Sequence, residues 1–147
     1  MPAADADDLI LLHPAIAAAG RGLFSLIFFL SGVTHFTNLQ QYVALMPAAI
    51  PFRPFWVTIS AVVELLGATL IAFNRYPRLG GWLIALFLVP VTFTVHGTAM
   101  VTTPDPEMQE IQTSFFLKGL AMTGAALLIT QLGVRRVERE SLRLPRS

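Results

Sequence analysis

Five ionisable residues stand inside otherwise apolar stretches of this chain: Arg21, His35, Glu64, His96 and Lys118. Glu64 is the most exposed to question, sitting near the middle of AVVELLGATLI, residues 61–71. A carboxylate and imidazoles can exchange protons with a bound molecule, and a lysine can hold an anion. If these stretches cross a bilayer, a charge at the centre costs at least about 2.5–3.5 kcal/mol on insertion scales, so such groups turn inward and find partners.

Helical spacing predicts which side chains share a face. Arg21, Ser25, Phe28, Gly32 and His35 fall on one side of the first stretch, and Trp56, Ser60, Glu64 and Gly67 on one side of the second. Ala85, Val89, Thr92 and His96 line up on the third, where Pro90 predicts a kink, and Ser114, Lys118, Ala121 and Ala125 on the fourth. Four helices each turning one polar group inward is how bundles build sites. Glu64, His96 and Lys118 are the candidate catalytic groups. His35, Arg21, Gly32, Trp56 and Ser60 are candidates for holding a ligand, with Gly32, Gly67 and Ala125 leaving room for it. Simpler readings stand beside these. Glu64 and Lys118 can be an ion pair that fixes helix register. His35 and His96 can bond loops or water, and Arg21 can snorkel to the interface. Two histidines without a spacing signature do not argue for haem, and no metal site is assigned.

The elements that would position these groups follow from composition. Only 13% of the 147 residues are charged and 54% are hydrophobic, too little polar material to coat a small soluble domain. No cysteine is present, which excludes disulfides and thiolate metal sites. Four runs, roughly 16–36, 55–73, 79–100 and 114–132, are long enough to span a bilayer. NRYPR (74–78) and TPDPEMQEIQ (103–112) connect them tightly, so neighbours pack antiparallel. The longer connection 37–54 contains YVALMPAAI, too short to span. The fold class is therefore all-α, a four-transmembrane-helix antiparallel bundle with an interfacial or re-entrant segment between helices 1 and 2. Residues 1–15 form an N-terminal segment whose Asp5, Asp7 and Asp8 do not suit a cleaved signal. Residues 16–132 form the membrane domain, and 133–147 a basic tail, read as a short surface helix on anionic head groups or, more simply, as a solvated charged end that sets topology.

Arginine placement predicts orientation. With the N-terminus inside, Arg21, Arg75, Arg78, Arg135, Arg136, Arg139, Arg143 and Arg146 are cytoplasmic and only Arg53 is outside. Both termini are then cytoplasmic, and the polar cluster falls in the outer half of the bilayer. No nucleic-acid partner is expected.

These residues resemble the DoxX family of small four-helix membrane proteins. GRGLFSLIFFLSGVTHF, QYVALMPAAIP, VVELLGATLIAFNRYPRLGGW, VTFTVHG and QTSFFLKGLAMTGAALLI carry the likeness, over about residues 16–132. Two positions depart from the family pattern: Gly119 stands where Asn often follows the helix 4 Lys, and His35 where Lys is frequent. The resemblance implies an integral protein of a bacterial inner membrane, acting as a small subunit or accessory of quinone-linked redox chemistry. A quinone is the implied cofactor class. The lipid bilayer, a larger membrane redox complex or a homo-oligomer are the implied partners. The alternative is a non-enzymatic lipid-binding or complex-assembly protein, and a transporter or proton channel is a weaker third.

Overall fold

The computed structural model describes residues 14–132. The N-terminal segment with its aspartates and the basic tail, including the surface helix expected there, lie outside the described residues. Within them the chain is helical throughout, with no strand. It forms α1 (Pro14–Thr37), α2 (Leu39–Leu45), α3 (Arg53–Ala72), α4 (Pro77–Thr102) and α5 (Pro106–Leu132). Four of these, all but α2, are long and apolar enough to cross a membrane. The two outer connections and α2 lie at one end of the bundle, here the loop end. The α3–α4 connection marks the turn end.

Local chemistry sets the boundaries. α3 stops at Ala72 because Asn74 takes a left-handed conformation. Arg75 N–H then bonds the Leu70 carbonyl at 2.9 Å and Asn74 N–H bonds that of Ile71 at 3.0 Å, which satisfies two terminal acceptors. Pro77 opens α4, where a missing N–H costs nothing. Asp105 Oδ1 accepts from the Glu107 N–H at 3.1 Å just ahead of α5, the side-chain cap that a TPDPE stretch favours. Pro90 does more than kink α4. The following turn, Thr92–Gly97, widens into a π-helix, and Thr94 Oγ1 bonds back to the Pro90 carbonyl at 2.7 Å.

The closest packing joins sequence neighbours: α1 on α3, α3 on α4, α4 on α5. Small residues permit it. A Cβ added to Gly80 would meet the Gly67 carbonyl oxygen at 2.8 Å, and one added to Gly81 would meet that of Ala126 at 2.8 Å. The adjacent glycines thus serve two different contacts, one with α3 and one with α5. Phe28, Ala68, Ile71, Ile84, Ala85, Leu88 and Ala126 form the buried core.

α1 sits out of step with the rest. His35, in its last turn, lies against Glu64, which is 11 residues into α3. α1 runs only two residues past His35, so its loop end stops about 14 Å short of the α3 start, counted along α3. The space beyond is filled by α2, which bends across the end of α1. Arg53 fixes this segment: its Nη1 bonds the Val43 and Met46 carbonyls, at 3.5 and 3.4 Å, at the end of α2. A cation in the first turn of α3 opposes that helix's own dipole, and the free carbonyls of α2 offset the conflict. Residues 45–47 then pack against Val95, Thr98, Ala99 and Thr102 across a cleft of about 140 Å³.

Candidate functional site

Glu64 is 1% exposed and projects between α1 and α3. It is about 17 Å along α3 from the loop end and about 12 Å from the turn end, which is near mid-span rather than toward one face. Ser31 Oγ donates to its Oε1 at 3.0 Å. Its Oε2 lies 3.2 Å from His35 Nδ1. That second contact is close without being an aligned hydrogen bond, and Oε2 has no hydrogen-bond partner. The reason lies in His35. Its Nδ1 faces the Ser31 carbonyl at 2.7 Å. A carbonyl only accepts, so Nδ1 carries the hydrogen and directs it there. A modest ring rotation would hand the same hydrogen to Glu64.

The sequence faces explain how the pair forms. Ser31 and His35 are one turn apart on α1, so a serine and an imidazole stack along the same stripe. Gly32 between them lets α3 approach: a Cβ there would meet the Leu65 side chain at 2.7 Å and the Ala61 carbonyl oxygen at 3.2 Å. Tyr42 of α2 closes the site from the loop end. Its ring stacks on His35 with centroids 3.9 Å apart and planes 22° from parallel. Its hydroxyl and Thr34 Oγ1 are 2.8 Å apart, and Thr34 in turn donates to the Ser31 carbonyl at 2.8 Å. Phe87 of α4 meets the other side of His35 edge-on, centroids 6.3 Å apart.

The partner of Glu64 is therefore His35, not Lys118. Lys118 is exposed, with Nζ 5.4 Å from the Phe115 ring centroid, a cation–π contact. The expected α5 face is turned the wrong way: Ser114, Lys118 and Ala121 are exposed, and Gly119, Ala126 and Thr130 are buried instead. Thr92 packs on Gly119, filling the space a side chain there would occupy. His96 is half-buried and tied to α5, Nδ1 to Gln112 Oε1 at 2.9 Å, away from Glu64. Trp56 and Val89 are 49% and 46% exposed and fall off their predicted faces, whereas Glu64 and Gly67 on α3 and Ala85 and Thr92 on α4 are buried as those faces require. Ser60 bonds the Val57 carbonyl at 2.8 Å, inside its own helix. Gly32 and Gly67 serve helix contact rather than ligand space, since Ile84 lies 2.9 Å from a Cβ built on Gly67. Arg21 lies 14 residues before His35, about 21 Å along α1, and takes no part in the cluster. Its Nε is buried without a hydrogen-bond partner, as is the Ser25 hydroxyl.

The α1 face is the one read most fully, with Ser25, Phe28, Gly32 and His35 all buried. Ser31 and Tyr42 are the functional candidates that sequence reasoning missed. Ser31 is signalled only by its position one turn before His35. Tyr42 has no signal without the bend between α1 and α2. Among the described residues no group of three or more His, Asp or Glu side chains converges as a metal site would require.

What remains is a compact polar cluster of Ser31, His35 and Glu64 in an apolar bundle, screened by Tyr42. The His35 Nδ1 hydrogen is directed at the Ser31 carbonyl, and the carboxylate Oε2 beside it is an open acceptor. Such an arrangement can store and pass a proton, or brace two helices. Comparison with curated proteins and with solved structures returns no match. A family model does match, over residues 24–130, which takes in the cluster and at least part of each of the four spanning helices. The chain therefore belongs to the family described as a domain of unknown function, DUF8561.

Proposed function

We propose that this chain is a DoxX-like accessory of quinone-linked redox chemistry in a bacterial inner membrane, in which His35 and Glu64 handle protons. The observation that carries the reading is the buried Glu64 Oε2, 3.2 Å from an imidazole N–H yet without a hydrogen bond. A pair selected only to brace two helices gains most when every buried acceptor is satisfied. An acceptor left open one ring rotation from a donor suits proton exchange. Each electron that reduces a quinone is matched by a proton, so quinone plus two electrons and two protons gives quinol. On this reading electrons come from a partner redox protein and protons pass through Glu64 and His35 to the quinone carbonyl oxygen. Tyr42 covers the approach to His35, so a head group would enter by displacing the α2 segment. The arginine distribution supports cytoplasmic termini.

Binding of water-soluble ubiquinone and menaquinone analogues to the chain in nanodiscs tests this. Saturable binding is expected, and Glu64→Gln, which removes the carboxyl group that supplies the proton to the quinone carbonyl, should weaken it about five-fold, the worth of one neutral hydrogen bond. No binding, or equal binding by Glu64→Gln, would sink the proposal. The second reading, a lipid-binding or assembly protein, draws on the near-complete burial of Glu64, which a brace also requires. A phospholipid or partner subunit that co-purifies equally with wild type and Glu64→Gln would favour it.

A further inference from the structure

The turn end of the bundle carries a second, unrelated surface. Arg75 and Arg78 are exposed there, and neither makes an ion pair or side-chain hydrogen bond among the described residues. Glu64 is the only acidic residue between positions 9 and 104, and it is buried in mid-bundle, so among the described residues nothing on this surface balances the two guanidinium groups. Beside them is an open cleft of about 600 Å³ lined by Tyr76, Pro77, Arg78, Leu79 and Trp82. Its two aromatic walls stand free: Tyr76 is 77% exposed and Trp82 55%.

The order of chemistry down α4 matches the order of a phospholipid. Arg78, Trp82 and Leu86 are spaced i, i+4, i+8 and share a face. Arg78 stands at the helix end, where a phosphate would lie. Trp82 is one turn deeper, at the level where indole rings settle between head groups and chains. Leu86, 68% exposed, continues the apolar track. We propose that this cleft binds an anionic phospholipid of the leaflet at the turn end, its phosphate held by Arg78 and Arg75 and one acyl chain laid along Trp82 and Leu86. A zwitterionic lipid fits the track but brings a cation toward the arginines. A second copy of the chain brings the same two arginines and is repelled. The proposal is independent of the Glu64 cluster.

Tryptophan fluorescence tests it. Trp56→Phe leaves Trp82 as the only tryptophan. In phosphatidylcholine bilayers, a small fraction of chain-brominated phosphatidylglycerol should quench Trp82 well beyond an equal fraction of brominated phosphatidylcholine. One phosphate–arginine contact corresponds to about five-fold local enrichment. Arg75→Gln with Arg78→Gln should bring the two lipids level. Equal quenching in the Trp56→Phe protein overturns the proposal, and this comparison stands even if the double variant misfolds. Preference that survives the double variant also overturns it, as does preference erased at constant ionic strength by millimolar inorganic phosphate.

Discussion

Tyr42 lies flat on His35, centroids 3.9 Å apart, although the two residues belong to helices that point in different directions. A straight continuation of α1 would hold residues 35 and 42 about 10 Å apart along the axis. The bend at Asn38 is what turns a surface tyrosine into the cover of a buried pair.

Opening that cover should expose His35 without unfolding the bundle. Tyr42→Leu removes both the stack and the hydroxyl contact with Thr34, while Tyr42→Phe removes only the hydroxyl. Diethyl pyrocarbonate should modify His35 several-fold faster in Tyr42→Leu and near the wild-type rate in Tyr42→Phe, with His96 as the internal reference. Stability should fall by about 0.6 kcal/mol in Tyr42→Phe, the typical worth of a hydrogen bond inside a membrane protein. Mass mapping of modified peptides reads the first effect and denaturant titration the second.

Glu64 gives a graded pair of variants. Glu64→Ala strips Ser31 of its acceptor, leaves His35 facing a void, and should cost about 3–5 kcal/mol. Glu64→Gln keeps the shape and an acceptor for Ser31, so about 1 kcal/mol is expected. Reversible unfolding in mixed micelles measures both. Equal losses would mean that the carboxylate itself, not the volume it fills, carries the whole contribution.

The α4–α5 contact depends on Gly119. Gly119→Ala drives a methyl group into the buried Thr92 side chain and should cost about 1–3 kcal/mol. Thr92→Ala, which also removes a hydroxyl with no hydrogen-bond partner, should restore much of that loss in the double variant. Gly124 has nothing within 4 Å of a built Cβ, so Gly124→Ala should be neutral or stabilising by about 0.4–1 kcal/mol. A double-mutant cycle on thermal unfolding separates these cases.

Arg53 predicts a local effect. Arg53→Gln withdraws the cation from the Val43 and Met46 carbonyls. Amide exchange across residues 39–47 should accelerate about ten-fold, while α4 and α5 amides stay unchanged. Uniform acceleration through all helices would contradict the assignment of Arg53 to α2 alone.

Much of the architecture was legible from the chain because length and apolarity settle it. The four runs are where spans must be, and the proline-rich 37–54 connection is where no span fits. On α1 the period-3.6 stripe through Ser25 and Gly32 identified the buried face. The same reasoning failed on α5, because every residue of a membrane helix is apolar enough to face either way. There Lys118 drew attention to its own side, while the real contact is marked by Gly119, a residue with no side chain. Tertiary register was the other missing quantity. Four residues placed one per helix need not share a depth, and the offset of α1 relative to α3 brings His35 to Glu64 while leaving His96 and Lys118 elsewhere.

The early stop of α1 also bears on how the chain is made. Synthesis runs from the N-terminus, so Ser31 and His35 are already lodged in the bilayer when the next hydrophobic segment leaves the ribosome. That segment brings a carboxylate whose entry alone carries the insertion penalty of about 2.5–3.5 kcal/mol. A waiting serine and imidazole at the matching depth give it a destination. The first helix thus acts as an intramolecular receptor for the second, and its order in the gene is part of what makes the second insertable.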